Sequence, residues 1–168
     1  MAYKTDFLTA TFTRPADTNT YAAGDAVSNS TTVATPMSFT GAARMGSGGG
    51  FIKNVILASS SNPTLKGQFE LWVCRATIAA ASINDNAAAA LTDAESLTVI
   101  DVVPLVVTYV GNAGADGAGN CLYIAKNVDI PYDCASGSST LYNFLITRNA
   151  YVPISAEVFQ VALEVVLE

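Results

Sequence analysis

The chain has 168 residues and not one histidine. That absence removes Ser-His-Asp and Cys-His nucleophile systems, imidazole acid–base chemistry and histidine-containing zinc sites. Charge is scarce too: 13% of the residues are Asp, Glu, Lys or Arg, about half of the ~25% usual in soluble domains. The 8 basic and 14 acidic side chains leave a net charge of −6. A chain of that sign with scattered cations repels polyphosphate, so nucleic acid is not an expected partner. A polybasic hold on a membrane surface fails for the same reason. No apolar run approaches the ~18 residues of a membrane span; the longest candidate, 102–110, carries Pro104 and Thr108. The first residues show no cationic stretch leading into an apolar one, so no secretory signal is expected. Cys74, Cys121 and Cys134 are odd in number and far apart, with no CxxC spacing. Two of them could pair, but buried free thiols in a reducing cytosol suit the pattern better.

What the chain does have is apolar bulk, at 51% hydrophobic residues and a mean hydropathy of +0.36. This length can bury about two-thirds of its unfolded surface in one core, so one domain spanning 1–168 is expected. The dominant pattern is two-residue alternation, which sends successive side chains to opposite faces of a strand. Phe159, Val161, Leu163, Val165 and Leu167 share one such face, as do Phe69, Leu71 and Val73. Further strands are read at 5–12, 36–40, 51–59, 97–109 (broken at Pro104), 122–130 and 141–148. About eight strands separated by Gly, Pro, Ser and Asn clusters predict an all-β, antiparallel sandwich. Helical signal is confined to Thr92-Asp93-Ala94-Glu95, a capping-box spacing that predicts one short helix or turn near 86–96. The alanine-rich stretch 76–90 reads as a long connection with little bulk to anchor a core.

Several constellations resemble chemical sites, and each has a plainer reading. The glycine run 46–50 lacks the Lys-Ser/Thr that must directly follow a phosphate-binding loop; it reads as a mobile or partner-ordered loop. Asn112, Asp116 and Asn120 offer calcium-type oxygens without the EF-hand order, so they read as turn residues. Asp129 and Asp133 flank Ile130-Pro131-Tyr132 as a carboxylate pair, yet mark a strand end more simply than a glycosidase site. Trp72 beside Glu70 reads as core or subunit contact before it reads as a sugar platform. No catalytic residue, cofactor or metal site is expected.

The distinctive stretch is 14–27, Arg-Pro-Ala-Asp-Thr-Asn-Thr-Tyr-Ala-Ala-Gly-Asp-Ala-Val. Physically it is turn chemistry: Pro15 and Gly24 punctuate, Asp17 and Thr18 can bond nearby backbone N–H groups, and Tyr21 is an amphipathic anchor. It also resembles a pattern, RPADTxxYAAGDxV, of small structural proteins of tailed-bacteriophage virions. Further along the same order come Asp85-Asn86, the Leu-Thr-Asp-Ala of 91–94, Tyr142, Tyr151-Val152-Pro153 and Ser155-Ala156. The resemblance implies a virion protein of the capsid decoration or cement type with a jelly-roll-like fold and no catalytic residues. Its partners would be the major capsid protein or neighbouring virion subunits, with a homo-oligomer expected. It would be made in the bacterial host cytoplasm and end on the phage head surface. Arg14, Asp17 and Tyr21 are the partner-binding candidates: Tyr21 can fill a pocket and Arg14 supplies a planar donor fork. The low charge agrees with surface hidden in subunit contacts. A carbohydrate- or receptor-binding module of a phage tail or fibre, on the same kind of sandwich, is the alternative; an enzyme would need a carboxylate-only mechanism.

Overall fold

The computed structural model describes residues 4–61, 67–110 and 120–168. Among these described residues ten strands are present: β1 (Lys4–Thr13), β2 (Ala26–Val27), β3 (Met37–Thr40), β4 (Gly49–Ser59), β5 (Phe69–Cys74), β6 (Val99–Leu105), β7 (Val107–Val110), β8 (Cys121–Asp133), β9 (Thr140–Thr147) and β10 (Val158–Leu167). Four nested antiparallel pairs set the path: β1 with β10, β3 with β9, β4 with β8, and β5 with β6. The chain is therefore one long hairpin whose arms stay paired while it rolls into two layers, which is the jelly-roll arrangement. Rolling puts β1-β10-β4-β8-β7 in one sheet and β2-β9-β5-β6 in the other, with β3 also on β9. The all-β, antiparallel sandwich read from alternation, with the jelly-roll-like arrangement implied by the resemblance, is the observed fold.

The core lies between the sheets. Phe159, Val161, Leu163, Val165 and Leu167 of β10 all face it and are buried, as are Phe69, Leu71 and Val73 of β5. Phe69 meets Tyr123, Tyr151 and Phe159 edge-on at 5.3–5.5 Å between ring centroids, an aromatic geometry favoured by the ring quadrupole. On β4 the inward residues Ile52 and Val55 are three apart, because the register with β8 shifts between Ile52 and Asn54. That irregularity is pinned by an ion pair between Lys53 and Asp129 and by the Asn127 N–H donating to Asn54 Oδ1 at 3.0 Å.

Some expectations change in detail. The described residues form ten strands rather than about eight, since a two-residue β2 has no alternation to read and the 97–109 run divides. The division falls at Val106, not at Pro104: β6 belongs to one sheet and β7 to the other. Pro104 stays in register opposite Glu70 on the edge strand β6, where its missing N–H costs no ladder bond. The helix α1 is the four residues Asp93–Ser96, with the expected capping box between Thr92 and Glu95. The connection 76–90 does anchor a core. Ile78 and Ile83, flanking a 3₁₀ turn at Ala80–Ser82, pack with Cys74, Phe144 and Ile146 on the outer face of the second sheet. All three cysteines are buried, and none is joined in a disulfide.

Gly49 and Gly50 start β4 rather than ending a mobile loop. A Cβ on Gly50 would stand 2.1 Å from the Val166 carbonyl oxygen, and one on Gly49 the same distance from that of Tyr132. Gly50→Ala is expected to cost about 2 kcal/mol, because backbone on β10 would have to move. A urea midpoint unchanged from wild type would show that the strands part without strain.

Candidate functional site

The 14–25 segment leaves β1 at one end of the sandwich and folds back on itself. Gly24, at φ +96°, makes the reversal, which a side chain would strain, and the Asp25 N–H donates to the Ala22 carbonyl at 3.2 Å. Asp25 Oδ2 accepts the Ala22 N–H at 2.7 Å, closing the same turn from the side chain. This fold turns Arg14 and Tyr21 inward.

Arg14 is buried and spends its whole fork inside the molecule. Nε donates to the Tyr21 hydroxyl at 2.9 Å; one terminal nitrogen donates to the Asp17 carbonyl at 2.6 Å and the Ile154 carbonyl at 3.3 Å. The other reaches Asp17 Oδ1 at 2.9 Å and Asp85 Oδ2 at 3.4 Å. Asp85 is the hub: its Oδ1 also accepts from the Tyr21 hydroxyl at 2.5 Å and the Ser28 N–H at 2.9 Å. Tyr21 stacks on Tyr151 at 5.0 Å with the rings nearly parallel. Three connections, 14–25, 76–90 and 148–157, are thus tied by one polar-aromatic clamp.

Burial pushes the Asp85 carboxyl above its ordinary range, against the pull of the Ser28 N–H, Tyr21 and Arg14. The Tyr21 phenol is also raised, by burial and then by Asp85, and stays a donor. For Arg14, burial acts downward, but the bonds to Tyr21 and Asp17 reverse it and hold the guanidinium charged. Next to the clamp, Glu157 is buried, accepts from the Ser59 hydroxyl, and is raised to about 7 by burial. Its second oxygen and the Tyr151 hydroxyl have no hydrogen-bond partner among the described residues.

These positions correct the expected partner contact. Tyr21 has no solvent exposure and Arg14 has 2%, so neither side chain can fill a pocket or grip a carboxylate on another molecule from this fold. The donors were expected to point outward because sequence cannot show that Asp85, far along the chain, supplies their acceptor. Only Asp17 of the three is partly exposed, and it is engaged with Arg14 and the Asn19 N–H. Asp129 and Asp133 are both exposed on β8, with Asp129 committed to Lys53. Trp72 lies on the outer face of the second sheet against Phe144, its indole N–H donating to Glu70 at 3.3 Å. Asn112 and Asp116 lie outside the described residues. Among the described residues no group of three or more His, Cys, Asp or Glu side chains could hold a metal ion, and no helix is long and apolar enough to cross a membrane.

The surface that sequence reasoning missed is the outer face of the first sheet. Register aligns Thr9, Ala162, Ile56 and Ile124 in one row and Thr11, Gln160, Ala58 and Leu122 in the next. Ala162, Ile56, Ile124, Ala58 and Leu122 form a half-buried apolar stripe. The neighbouring row is polar, with the Asn54 amide donating to Glu164 and Lys126 alongside. The second sheet's outer face is covered by the 76–90 connection, whose Ile78 and Ile83 pack with Phe144 and Ile146. The visible signal was the odd apolar residue between inward ones, such as Ala162 and Val166, which only pairing converts into a patch.

No protein-family model matches the chain, and no curated protein matches it. Among solved structures it is similar to a chain of the cyanophage Pam1 capsid asymmetric unit, at 14% identity and a TM-score of 0.33, over 99% of this chain and 85% of that one.

Proposed function

We propose that this chain is a non-enzymatic virion structural protein of a tailed bacteriophage, a decoration or cement protein that binds and stabilises the head through subunit contacts. The observation that carries the reading is the apolar stripe Ala162, Ile56, Ile124, Ala58 and Leu122, half-buried side by side on the outer face of the first sheet. An apolar patch framed by polar rows is a protein-contact surface rather than a substrate cleft. The sequence resemblance supports the reading from a second side: Arg14, Tyr21, Asp85 and Tyr151, which belong to its ordered motifs, meet in one clamp. In this proposal the clamp holds the rolled hairpin shut and the sheet face makes the contact. The net charge of −6 favours the outer surface of a head over the side facing packaged DNA.

The test is co-sedimentation of purified protein with heads stripped of accessory proteins, comparing wild type with Ile56→Asp and Ile124→Asp. A central contact contributes about 2 kcal/mol, so each variant is expected to lose at least about tenfold in occupancy with its thermal midpoint unchanged. Equal occupancy in both variants would move attachment off this face. Wild type that ignores stripped heads but binds a defined glycan would put the tail or fibre module in its place.

A further inference from the structure

We propose that β1 pairs antiparallel with β1 of a second copy across a two-fold axis centred on Phe7, joining two five-stranded sheets into one continuous sheet. The argument starts from which backbone groups are already used. The Arg14 N–H donates to the Glu157 carbonyl at 3.0 Å, and β1 and β10 keep one unbroken register from Lys4↔Leu167 to Thr13↔Val158. Antiparallel ladders alternate, so the even residues of β1 bond to β10 and the odd ones, from Thr5 to Thr13, point their N–H and C=O groups to the open edge. The Phe7 N–H confirms the direction, since its acceptor is the neighbouring Asp6 carboxylate at 3.0 Å and not β10.

Among the described residues the other three sheet edges are blunted. β6 carries Pro104, β7 has four residues, and the remaining edge is split between the two-residue β2 and the four-residue β3, which Pro36 precedes. β1 has ten residues and no proline, and its register has no bulge. Long open edges are templates for another strand. Toward its end β1 stands against β3 across a groove of about 330 Å³ lined by Ala10, Thr11, Phe12, Met37 and Ser38, which leaves residues 4–10 as the accessible stretch.

A second copy fits that stretch. Centring the axis on Phe7 sets Thr5 opposite Thr9 and Phe7 opposite its own counterpart, all of them residues whose backbone groups face outward. Phe7, 58% exposed in the single chain, is then covered by its equivalent. Charge allows the approach although the chain carries −6 overall. Lys4 and Asp6 neutralise each other at 2.7 Å, and in this register they face Ala10 and Leu8 of the second copy, so no like charges stand directly opposite and each diagonal Asp6 carries its own lysine. The contact is isologous, hence closed at two copies.

The inference does not depend on the virion reading, and its test uses the purified chain alone. Sedimentation over a concentration series is expected to show a monomer–dimer equilibrium. Thr9→Pro removes an N–H that points away from β10, so it should weaken dimerisation at least tenfold while leaving the thermal midpoint of the monomer in place. Phe7→Cys should form a disulfide-linked dimer under mild oxidant, because Cα atoms of a hydrogen-bonded antiparallel pair lie about 5.5 Å apart, within disulfide range. This second variant keeps the test intact if Thr9→Pro fails to fold. A wild type that stays monomeric throughout the series, a Thr9→Pro dimer as tight as wild type, or a Phe7→Cys chain that stays unlinked would each overturn the pairing.

Discussion

Replacing Asp85 with alanine is expected to lower the unfolding free energy by about 3–5 kcal/mol, the usual cost of removing one partner from a buried ion pair. Asp85 is enclosed and accepts from Tyr21, Ser28 and Arg14. Its loss strands a buried phenol, a backbone N–H and part of a guanidinium with no route to water. Asp17 remains on Arg14, so the charge is not wholly unpaired, which places the expectation below the cost of an isolated buried cation. Asp85→Asn should be milder, since its carbonyl oxygen can still accept from Tyr21. The measurement is chemical denaturation of both variants together with Arg14→Met and the double variant Arg14→Met/Asp85→Ala. Because the two groups face each other, the double variant should lose clearly less than the sum of the singles. Strict additivity would mean that Arg14 and Asp85 act independently and that the clamp is a cluster in appearance only. The same result bears on partner binding: a Tyr21→Ala defect on heads has meaning only after its loss of stability is subtracted.

The second large effect is a pH dependence carried by Glu157. Its folded carboxyl is raised to about 7 by burial, from an ordinary 4.5. Below about pH 4.5 the carboxyl is protonated whether the chain is folded or not. Between 4.5 and 7 the unfolded chain releases the proton while the folded one keeps it, so rising pH favours unfolding through that window and the loss levels off above 7. A shift of that size corresponds to about 3 kcal/mol of stability present in acid and gone at alkaline pH. The groups around it do not cancel this: Ser59 and Arg14 pull the carboxyl down and are already outweighed by burial. Asp6, Asp17 and Glu95, whose carboxyls are lowered, act with the opposite sign and destabilise the fold as pH falls. Comparison with Glu157→Gln isolates the single group, since the amide keeps an acceptor for Ser59 and cannot ionise. The variant should match wild type near pH 4.5 and exceed it by about 3 kcal/mol near pH 8. Parallel stability–pH curves for the two proteins would show that Glu157 ionises normally and that water reaches it in the folded state.

Much of the sandwich is legible in the order of residues, and the reason is local. A strand with one face in the core must alternate, so 159–167 and 69–73 announce both their conformation and their buried face without any knowledge of partners. The capping box at Thr92 and Glu95 is readable for the same reason, because its two hydrogen bonds close within four residues. Pairing partners are another matter. Nothing in β3 or β9 alone says that Met37 will stand opposite Asn143, and nested pairing of the first strand with the last is a property of the rolled chain.

The candidate sites divide along the same line. Arg14, Asp17 and Tyr21 could be singled out as unusual, but their direction was decided by Asp85, sixty-four residues beyond Tyr21, arriving with an acceptor for both donors. A buried guanidinium and a buried phenol are tolerable only when their hydrogen bonds are met, and only tertiary contact can meet them. The apolar stripe likewise has no existence in the sequence, because Ile56, Ile124 and Ala162 become neighbours through strand register alone. By itself the sequence determined that the chain is a two-faced β protein without histidine and with little charge of either sign, since those are properties of composition and period. The tertiary structure decided which of its polar residues hold the molecule together and which of its apolar residues come to share one outer face, since burial and neighbourhood are set by packing.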